Sequence, residues 1–261
     1  MPFVALLSDF GSKGPYVGLM KAEVVRRAKD ASLIDITHEV SPFCILEGAF
    51  LLVRAMEYFP QGTVFLAVVD PGVGTPRPAL VLKASKKTFI GPDNGLLAGV
   101  AQKAGLEALY EIDLEKLKAY GPISNTFHGR DVFARAAGLL LAGEESFLTP
   151  RNAPPEPLPE LFWMETEGGI AGKIAHIDRF GNLVTTIPWP SFEDEGRSLA
   201  WVVKMGGHTI TQEVKTYLQG NGSFPFFLES SFGTLEIAMR ERSAKDFLGA
   251  DLGEEVTLAI A

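Results

Sequence analysis

Short apolar runs alternate with segments of helical period through the first half of the chain, and this alternation limits the folds that it can adopt. The predicted order is strand, helix, strand, helix, strand, over Phe3–Leu7, Tyr16–Ala28, Leu33–Thr37, Ile45–Phe59 and Thr63–Val69. Strands joined by helical crossovers pair in parallel, and the helices cover the faces of the sheet. The pattern continues with further strands and helices, at Ala79–Ala84, Thr88–Ile90, Asn94–Ala104, Ala108–Ile112 and Val132–Leu141. We therefore predict an α/β fold in which an N-terminal, largely parallel sheet is covered by helices.

A proline-rich segment separates this half from a second half of different character. Residues 149–167 contain prolines that interrupt helices and central strands, so we predict a linker between domains at residues 1–148 and 168–261. Past the linker the chain consists of short β-type runs with glycine turns: Gly169–Ile177, Leu183–Ile187, Leu199–Met205, Phe224–Leu228, Thr234–Met239 and Val256–Ile260. One helix is predicted among them, at Ser243–Leu248. This pattern predicts a small antiparallel barrel or sandwich.

The composition allows a packed core and argues against polyanionic and membrane partners. Of 261 residues, 46% are hydrophobic, and the formal net charge of −8 would repel nucleic acid. No apolar run approaches the roughly 20 residues of a membrane-spanning helix. The single cysteine, Cys44, has no partner for an internal disulfide, which fits a reducing compartment. We expect a cytoplasmic protein with a small-molecule ligand and no nucleic-acid or membrane partner.

Two polar motifs follow apolar segments in a way that is typical of a functional site. The strand that ends at Val69 is followed by Asp70, a turn rich in proline and glycine, and Arg77 within reach of the carboxylate. A second motif, residues 124–131, places His128 at the start of a predicted helix. A carboxylate beside an arginine, together with a neutral imidazole, can orient and deprotonate a water molecule. We therefore interpret Asp70, Arg77 and His128 as a candidate hydrolytic set, with a structural ion pair as the alternative.

Other chemistries are less well supported by the sequence. A metal site would use Asp9, Asp35, His38, Asp70 and His128, but no HExxH or HxH pattern occurs, and we expect no metal. A nucleophilic serine would need a Gly-x-Ser-x-Gly turn, which is absent. The GxGxxG pattern of dinucleotide-binding domains is absent as well. The histidines outside the candidate set are interpreted as structural.

Polar residues at two further turns are candidates for ligand binding. Asp9 directly follows the first strand, and a carboxylate at the carboxyl end of a parallel strand can bind ribose hydroxyls. Its alternative role is to cap the following helix. In the second half, Phe180 could stack on an adenine, and the amide of Asn182 could contact the edge of the base. Turn chemistry alone is the alternative explanation for that cluster.

Seven motifs, in order along essentially the whole chain, together resemble those of the S-adenosyl-L-methionine hydroxide adenosyltransferases, which are the hydrolytic relatives of the fluorinase and chlorinase enzymes. They are Ser8 to Gly11 with Tyr16 to Gly18, Asp35 to His38, Val69 to Thr75, Pro92 to Gly95, Thr126 to Asp131, Asp178 to Asn182, and Leu235 to Ala238. The resemblance implies an N-terminal α/β domain and a C-terminal β-barrel. It also implies a homotrimer whose ligand lies between the N-terminal domain of one subunit and the C-terminal domain of the next.

The resemblance also implies a reaction and a role for each site residue. Water would attack the ribose C5′ of S-adenosylmethionine (SAM), giving adenosine and L-methionine, with SAM as substrate and no cofactor. Asp70, Arg77 and His128 would hold the water, and Asp9 would bind the ribose. Asp178, Phe180 and Asn182 would bind the methionine amine or the adenine, the backbone of Tyr217 the adenine, and Ser231 the methionine carboxylate. The remaining substrate-binding residues implied are Phe43, Val73, Thr126, Phe127 and Glu241.

Position 70 is where the hydrolytic and halogenating branches of this resemblance differ. The halogenases have an aromatic hydroxyl where this chain has Asp70. A carboxylate repels an incoming halide and attracts water, so the charge at this position favours hydroxide transfer. Transfer of halide, as in the chlorinases, and a module that binds an adenosyl ligand without turnover are the alternatives.

Overall fold

A mixed seven-stranded sheet dominates the first of the two units, Met1–Leu158 and Pro159–Ala261, into which the chain divides. The computed structural model describes residues 2–189 and 201–260. The strands of the first unit are β1 Phe3–Ser8, β2 Ser32–Thr37, β3 Val64–Val68, β4 Ala79–Ala84, β5 Lys87–Pro92, β6 Ala108–Ile112 and β7 Leu148–Pro150. Its α-helices are α1 Tyr16–Val25, α2 Ile45–Ala55, α3 Ala98–Ala104, α4 Leu114–Leu117 and α5 Arg135–Leu141.

The strand order is β2-β1-β3-β5-β4-β6-β7, and the first four strands are parallel to one another. The predicted α/β class is thus confirmed, with the parallel part confined to one side of the sheet. The other three pairs are antiparallel, and the first of them, β4 with β5, is a tight hairpin. Its two loop residues, Ser85 and Lys86, both have positive φ, at 49° and 57°, as a type I′ turn requires.

The helices begin and end at different residues from those that periodicity predicts. The helix predicted from Asn94 begins at Ala98, because the Asn94 side chain instead accepts the backbone N–H of Leu96 in a turn. The segment predicted as one helix from Val132 is a π-helical stretch, Gly129–Ala134, that continues as α5. π-Helical turns are often found at functional sites, and this one follows directly after His128.

Register places the ends of β1 and β3 side by side. Ser8 pairs with Val68, and both strands are buried along almost their whole length. Asp9 and Asp70 therefore leave the sheet at the same edge, from neighbouring strands. This edge is where open α/β sheets bind ligands.

The second unit is an antiparallel, barrel-like sheet, as predicted. Its strands are β8 Met164–Thr166, β9 Gly169–Ile177, β10 Leu183–Pro188, β11 Trp201–Met205, β12 His208–Ile210, β13 Phe226–Glu229, β14 Thr234–Ala238 and β15 Glu255–Ile260, with α6 at Ala244–Leu248. The order is β12-β11-β15-β9-β10-β14-β13, and β8 pairs with β9. Of the strand predicted at Leu199–Met205, residues 199 and 200 lie outside the described residues.

Backbone hydrogen bonds bring the two ends of this sheet together. The N–H of Phe227 on β13 donates to the carbonyl of Gln212 at 2.9 Å, and the N–H of Val214 donates to the carbonyl of Phe227 at 3.0 Å. The segment after β12 thereby pairs with β13, which nearly closes the barrel. In neither unit does a helix within the described ranges have the length and apolar character needed to cross a membrane.

Candidate active site

Asp70, Arg77 and His128 form one hydrogen-bonded cluster. Arg77 Nε donates to Asp70 Oδ1 at 2.8 Å, and Arg77 Nη2 donates to Asp70 Oδ2. The same Nη2 lies 3.1 Å from His128 Nδ1. The side chain of Asp70 is 4% exposed, so this bidentate ion pair is largely shielded from solvent. The three residues that were selected from sequence are therefore in contact.

Gly74 accounts for how the loop after β3 reaches the loop before His128. Gly74 has φ of +79°, and a Cβ on it would collide with the backbone carbonyl oxygen of Asn125. Only glycine permits this combination of positive φ and close backbone approach. The two loops therefore pack directly on each other at Gly74 and Asn125. Along the chain, Gly74 lies three residues before Arg77, and Asn125 lies three residues before His128.

The contact with Arg77 determines the tautomer of His128. A guanidinium group only donates hydrogen bonds, so Nδ1 must be the acceptor and the proton of the neutral ring is on Nε2. Burial, and next the positive charge of Arg77, lower the pKa of His128, although Asp70 and Asp131 oppose the shift. The ring is therefore held neutral, with an N–H at Nε2.

This arrangement predicts how activity depends on pH. Protonation of Nδ1 would place one cation against another, and the lowered pKa moves that event to the acidic side of the ordinary histidine value of about 6.5. We expect kcat/KM to remain level as the pH falls from 8 to about 6.5 and to decline only in more acidic solution. A titration of kcat/KM against pH measures this, and an inflection above pH 6.5 would contradict the neutral, buried His128.

The cluster lies on the wall of a cavity of about 280 Å³ in the first unit. Its lining consists of Phe10, Tyr16, Val68, Asp70, Val73, Thr126, Phe127, His128 and Gly129. Three of these residues form an aromatic group, in which the ring of Phe127 lies 5.8 Å from that of Phe10 and 5.2 Å from that of Tyr16. The predicted contacts Val73, Thr126 and Phe127 thus line the same cavity as two members of the cluster. Phe10 and Tyr16, which sequence reasoning did not select, complete its apolar side.

Asp9 lies at the same edge of the sheet. Its Oδ2 accepts the backbone N–H of Phe43 at 2.9 Å. Burial raises the pKa of Asp9, the Phe43 hydrogen bond opposes this shift, and the negative charge of Asp70 adds to it. Phe43 has φ of 67° and is 70% exposed. The two predicted contacts, Asp9 and Phe43, are therefore held together by one hydrogen bond.

The second unit has a larger cavity of about 550 Å³, and most of the site residues predicted in this unit line it. It is lined by Asp178, Phe180, Asn182, Tyr217, Met239, Glu241, Arg242 and Ser243. Asp178 organises one side, because Oδ1 accepts the N–H groups of Phe180 and Asn182, each at 2.9 Å, and Oδ2 accepts the Asn182 amide. Gly181, with φ of +82°, packs so closely on Ser243 that a Cβ would collide with it.

A buried carboxylate supports this cavity from strand β14. Glu236 is 4% exposed, and its Oε1 accepts the hydroxyl of Tyr217 at 2.7 Å. Burial raises the pKa of Glu236, although the Tyr217 hydrogen bond opposes that shift. The Leu235 to Ala238 motif contained Glu236, but its role in orienting Tyr217 requires knowledge of strand pairing and could not be inferred from sequence.

Asp9, Phe43 and Arg77 are not part of the lining of the first cavity, although hydrogen bonds join Asp9 to Phe43 and Arg77 to Asp70. In the second unit, Ser231 is the predicted site residue that does not line the cavity. It occupies the turn between β13 and β14, which is closed by the bond from Gly233 N–H to the Ser230 carbonyl at 3.0 Å. Arg242 and Met239 line the cavity without having been selected from sequence. Neither belongs to a pattern with a recognisable chemical role, so no sequence signal identified them.

Four of the five residues of the metal alternative belong to two separate hydrogen-bonded groups, and the fifth, Asp9, bonds instead to the backbone of Phe43. Asp35 and His38 bond to each other at 3.0 Å, whereas Asp70 and His128 both bond to Arg77. The carboxylates of Asp35 and Asp70 already form ion pairs, with Lys21 and Arg77 respectively. Within residues 2–189 and 201–260 there is no group of three or more histidine, cysteine, aspartate or glutamate side chains that could hold a metal ion.

Comparisons with known proteins agree with this architecture. The sequence models of the SAM hydroxide adenosyltransferase N-terminal and C-terminal domains match residues 4–148 and 172–257. A Thermus thermophilus protein named (R)-S-adenosyl-L-methionine hydrolase is 37% identical, over 98% of this chain and 98% of its own. A protein of the same name from Methanocaldococcus jannaschii is 34% identical, over 99% of this chain and 96% of its own. The crystal structure of an uncharacterized conserved protein from Thermotoga maritima has a TM-score of 0.86 at 34% identity, covering 98% of this chain and 100% of that one.

An α/β unit is followed by a β-barrel-like unit, and relatives that match nearly the whole chain and are named as hydrolases make the protein an enzyme. The extent of the matches makes the assignment more specific. The chain belongs to the SAM hydroxide adenosyltransferase family.

Proposed function

We propose that this protein hydrolyses S-adenosyl-L-methionine to adenosine and L-methionine. The observation that carries the proposal is the carboxylate of Asp70, which lines the cavity of the first unit and is paired with Arg77 beside a neutral His128. A negative charge at this position favours water over halide as the nucleophile. Relatives that match nearly the whole chain and are named (R)-S-adenosyl-L-methionine hydrolase support the substrate.

The reaction is a single in-line displacement at the ribose C5′. The water oxygen forms a bond to C5′ as the bond from C5′ to sulfur breaks, and the bonding electron pair remains on sulfur. Methionine leaves as a neutral thioether, so no general acid is needed, and one proton is released per turnover. The protein accelerates the reaction by positioning: it holds one water in line with the C5′–S bond and excludes other water molecules.

We assign the water's proton to Asp70 and an orienting role to His128. His128 Nδ1 already accepts a hydrogen bond from Arg77, so the ring presents a donor rather than a base. Both oxygens of Asp70 also accept from Arg77, but each carboxylate oxygen has a second lone pair for the water. Arg77 fixes the direction of both groups.

Binding of the remainder of the substrate is assigned to groups from both units. Asp9 accepts hydrogen bonds from the ribose hydroxyls, and Phe43, Val73, Thr126 and Phe127 contact the sugar and sulfonium region. The other contacts are to adenine and the amino-acid tail, from Asp178, Phe180, Asn182, Tyr217, Ser231 and Glu241. These assignments are supported by the way in which most of the residues gather at a cavity in their own unit.

The experiment that tests the function is a product analysis with separated (R) and (S) sulfonium epimers of SAM. We expect equal amounts of adenosine and methionine, faster from the (R) epimer because the relatives' name specifies it. Reactions that contain chloride should yield no 5′-chloro-5′-deoxyadenosine. Formation of the chlorinated product would indicate halide transfer, and recovery of intact SAM after long incubation would indicate a binding module.

We further propose that the protein is a cytoplasmic homotrimer in which each site is completed by a neighbouring subunit. Exposed apolar side chains support an interface, since Leu19 and Val25 on α1 and Ile34 on β2 are each 38–39% exposed. Phe180, a predicted ligand contact of the second unit, is 76% exposed. The lone thiol of Cys44 is consistent with a reducing compartment.

Mixed oligomers test whether a site is shared between subunits. Asp70→Asn and Asp178→Asn impair different units, and each variant alone is expected to be nearly inactive. If each site combines the first unit of one chain with the second unit of its neighbour, random co-assembly restores about a quarter of the sites. Activity of co-expressed variants that does not exceed their sum would mean that each site belongs to one chain. The mass of the wild-type oligomer by light scattering checks the trimer itself.

A further inference from the structure

A chain of four side chains links α1, β2 and β1 beside the candidate site. Lys21 Nζ donates to Asp35 Oδ2 at 2.6 Å, Asp35 Oδ1 lies 3.0 Å from His38 Nε2, and His38 Nδ1 lies 2.7 Å from Ser8 Oγ. Sequence reasoning treated His38 as an isolated structural histidine. The structure instead places it between a carboxylate and the serine that precedes Asp9.

The series of serine, histidine and aspartate has the connectivity of a hydrolytic triad, but its serine cannot act as a nucleophile. Ser8 is 0% exposed, and its Oγ also accepts the backbone N–H of Phe10 at 3.4 Å. A nucleophilic hydroxyl has to reach the substrate, and this one lies within the sheet. The role of the array must therefore be sought in what it holds in place.

The direction of each hydrogen bond is fixed by its partners. A carboxylate only accepts, so the bond to Asp35 puts the ring proton of neutral His38 on Nε2. Nδ1 is then an acceptor, and the hydroxyl of Ser8 donates to it. Ser8 and His38 are buried, whereas Lys21 and Asp35 are partly exposed, and hydrogen bonds directed in this way hold the buried pair in one orientation.

His38 also anchors the residues on both sides of Asp9. Its ring holds Ser8, which precedes Asp9, and its carbonyl accepts the N–H of Gly11 at 2.7 Å. The loop that continues from His38 supplies the N–H of Phe43 that binds Asp9 Oδ2. The backbone of Asp9 and its carboxylate are therefore both fixed by one short segment, residues 38–43.

We propose that His38 is a positioning residue that sets the direction of the Asp9 carboxylate, so that it can accept hydrogen bonds from two vicinal hydroxyls of the ligand. The inference rests on the ribose-binding role assigned to Asp9 under the proposed function. A carboxylate binds a vicinal diol only while both hydroxyls lie within hydrogen-bond geometry. A small rotation of the Asp9 carboxylate is expected to weaken its preference for a ligand with both ribose hydroxyls over one without them. The adenine contacts would remain.

Paired substitutions of His38 separate its two side-chain bonds. His38→Asn keeps an acceptor close to the position of Nδ1 and loses the bond to Asp35. His38→Gln keeps a donor close to the position of Nε2 and loses the bond to Ser8. Ser8→Ala removes the same bond to Ser8 with the loss of a single atom, which guards against a His38 variant that fails to fold. The matched control is His208→Asn, on an exposed histidine of β12 in the other unit.

The measurement is the ratio of dissociation constants for 2′,3′-dideoxyadenosine and adenosine, obtained by calorimetry on the full-length protein. Wild type and His208→Asn are expected to favour adenosine by about 30-fold or more, since hydrogen bonds to a charged group are lost in the dideoxy compound. His38→Gln and Ser8→Ala should reduce this preference for adenosine to about fivefold or less. The ratio for His38→Asn should lie between that value and the wild-type value. In SAM turnover, KM should rise in these variants while kcat changes by less than about threefold.

A ratio that stays at the wild-type value in His38→Gln and Ser8→Ala would overturn the inference, because the bond between His38 and Ser8 would then have no effect on how Asp9 binds the ribose hydroxyls. A wild-type ratio near one would overturn the ribose role of Asp9 together with the inference. Adenosine binding does not require catalysis, so failure of SAM turnover with the expected ratios would count against the proposed reaction alone.

Discussion

Asp70→Asn is expected to lower kcat by about 10²-fold or more while leaving the protein folded. The substitution keeps the size of the side chain but removes the charge that orients and deprotonates the attacking water. It also leaves Arg77 without its counter-ion beside His128. The measurement is single-turnover formation of adenosine, which reports the chemical step without product release.

Asp93→Asn is the matched control for this substitution. Asp93 has a side chain that is 5% exposed and pairs with Arg151 at 2.7 Å, so it is a similarly buried ion pair in the same unit. It is not part of the described lining of the cavity. Both variants weaken a buried ion pair, although Arg151 keeps a contact with Glu111 at 3.8 Å, and only Asp70→Asn should lose the chemical step. Equal activities in the two variants would remove Asp70 from the catalytic set.

Gly74→Ala is expected to lower turnover between about 10-fold and 10²-fold, because it separates the two loops that bring Arg77 to His128. The new methyl group would collide with the carbonyl oxygen of Asn125 in a backbone conformation of φ +79°. Relief of the collision requires a shift of the loop that carries Arg77. Turnover and the melting temperature are measured together.

Gly143→Ala isolates the backbone part of this effect. Gly143 has a similar φ of +82°, but a Cβ there meets nothing within 4 Å. Both variants should lose about 1 kcal/mol from the positive φ, whereas only Gly74→Ala should lose activity. Full turnover in Gly74→Ala would show that the loop contact does not position the cluster.

Much of the fold could be predicted because hydrophobic periodicity reports burial directly. The buried strands β1 and β3 and the antiparallel runs of the second unit follow their sequence patterns closely. The β4–β5 hairpin was not anticipated because Ser85 and Lys86 adopt positive φ without the glycine or asparagine that usually marks such a turn. Likewise, nothing in the apolar period from Val132 distinguishes a π-helical start from an α-helix.

The site residues that could be predicted from the sequence are those that lie at the ends of strands and helices. Asp9, Asp70 and His128 each follow or precede an apolar run, and strand order then places the two aspartates at one edge of the sheet. The link between Ser8 and His38 spans 30 residues and depends on the register of β1 against β2, which no local pattern encodes. The tautomer of His128 also depends on a contact that spans 51 residues.

The most direct test of the proposed hydrolysis follows the oxygen atom that reaches C5′. The enzyme is incubated with SAM in water enriched in oxygen-18, and the adenosine formed is analysed by mass spectrometry with fragmentation of the ribose. The proposal predicts one heavy oxygen per adenosine, located in the 5′-hydroxyl. Adenosine without the label, or with the label elsewhere in the molecule, would contradict attack of water on C5′.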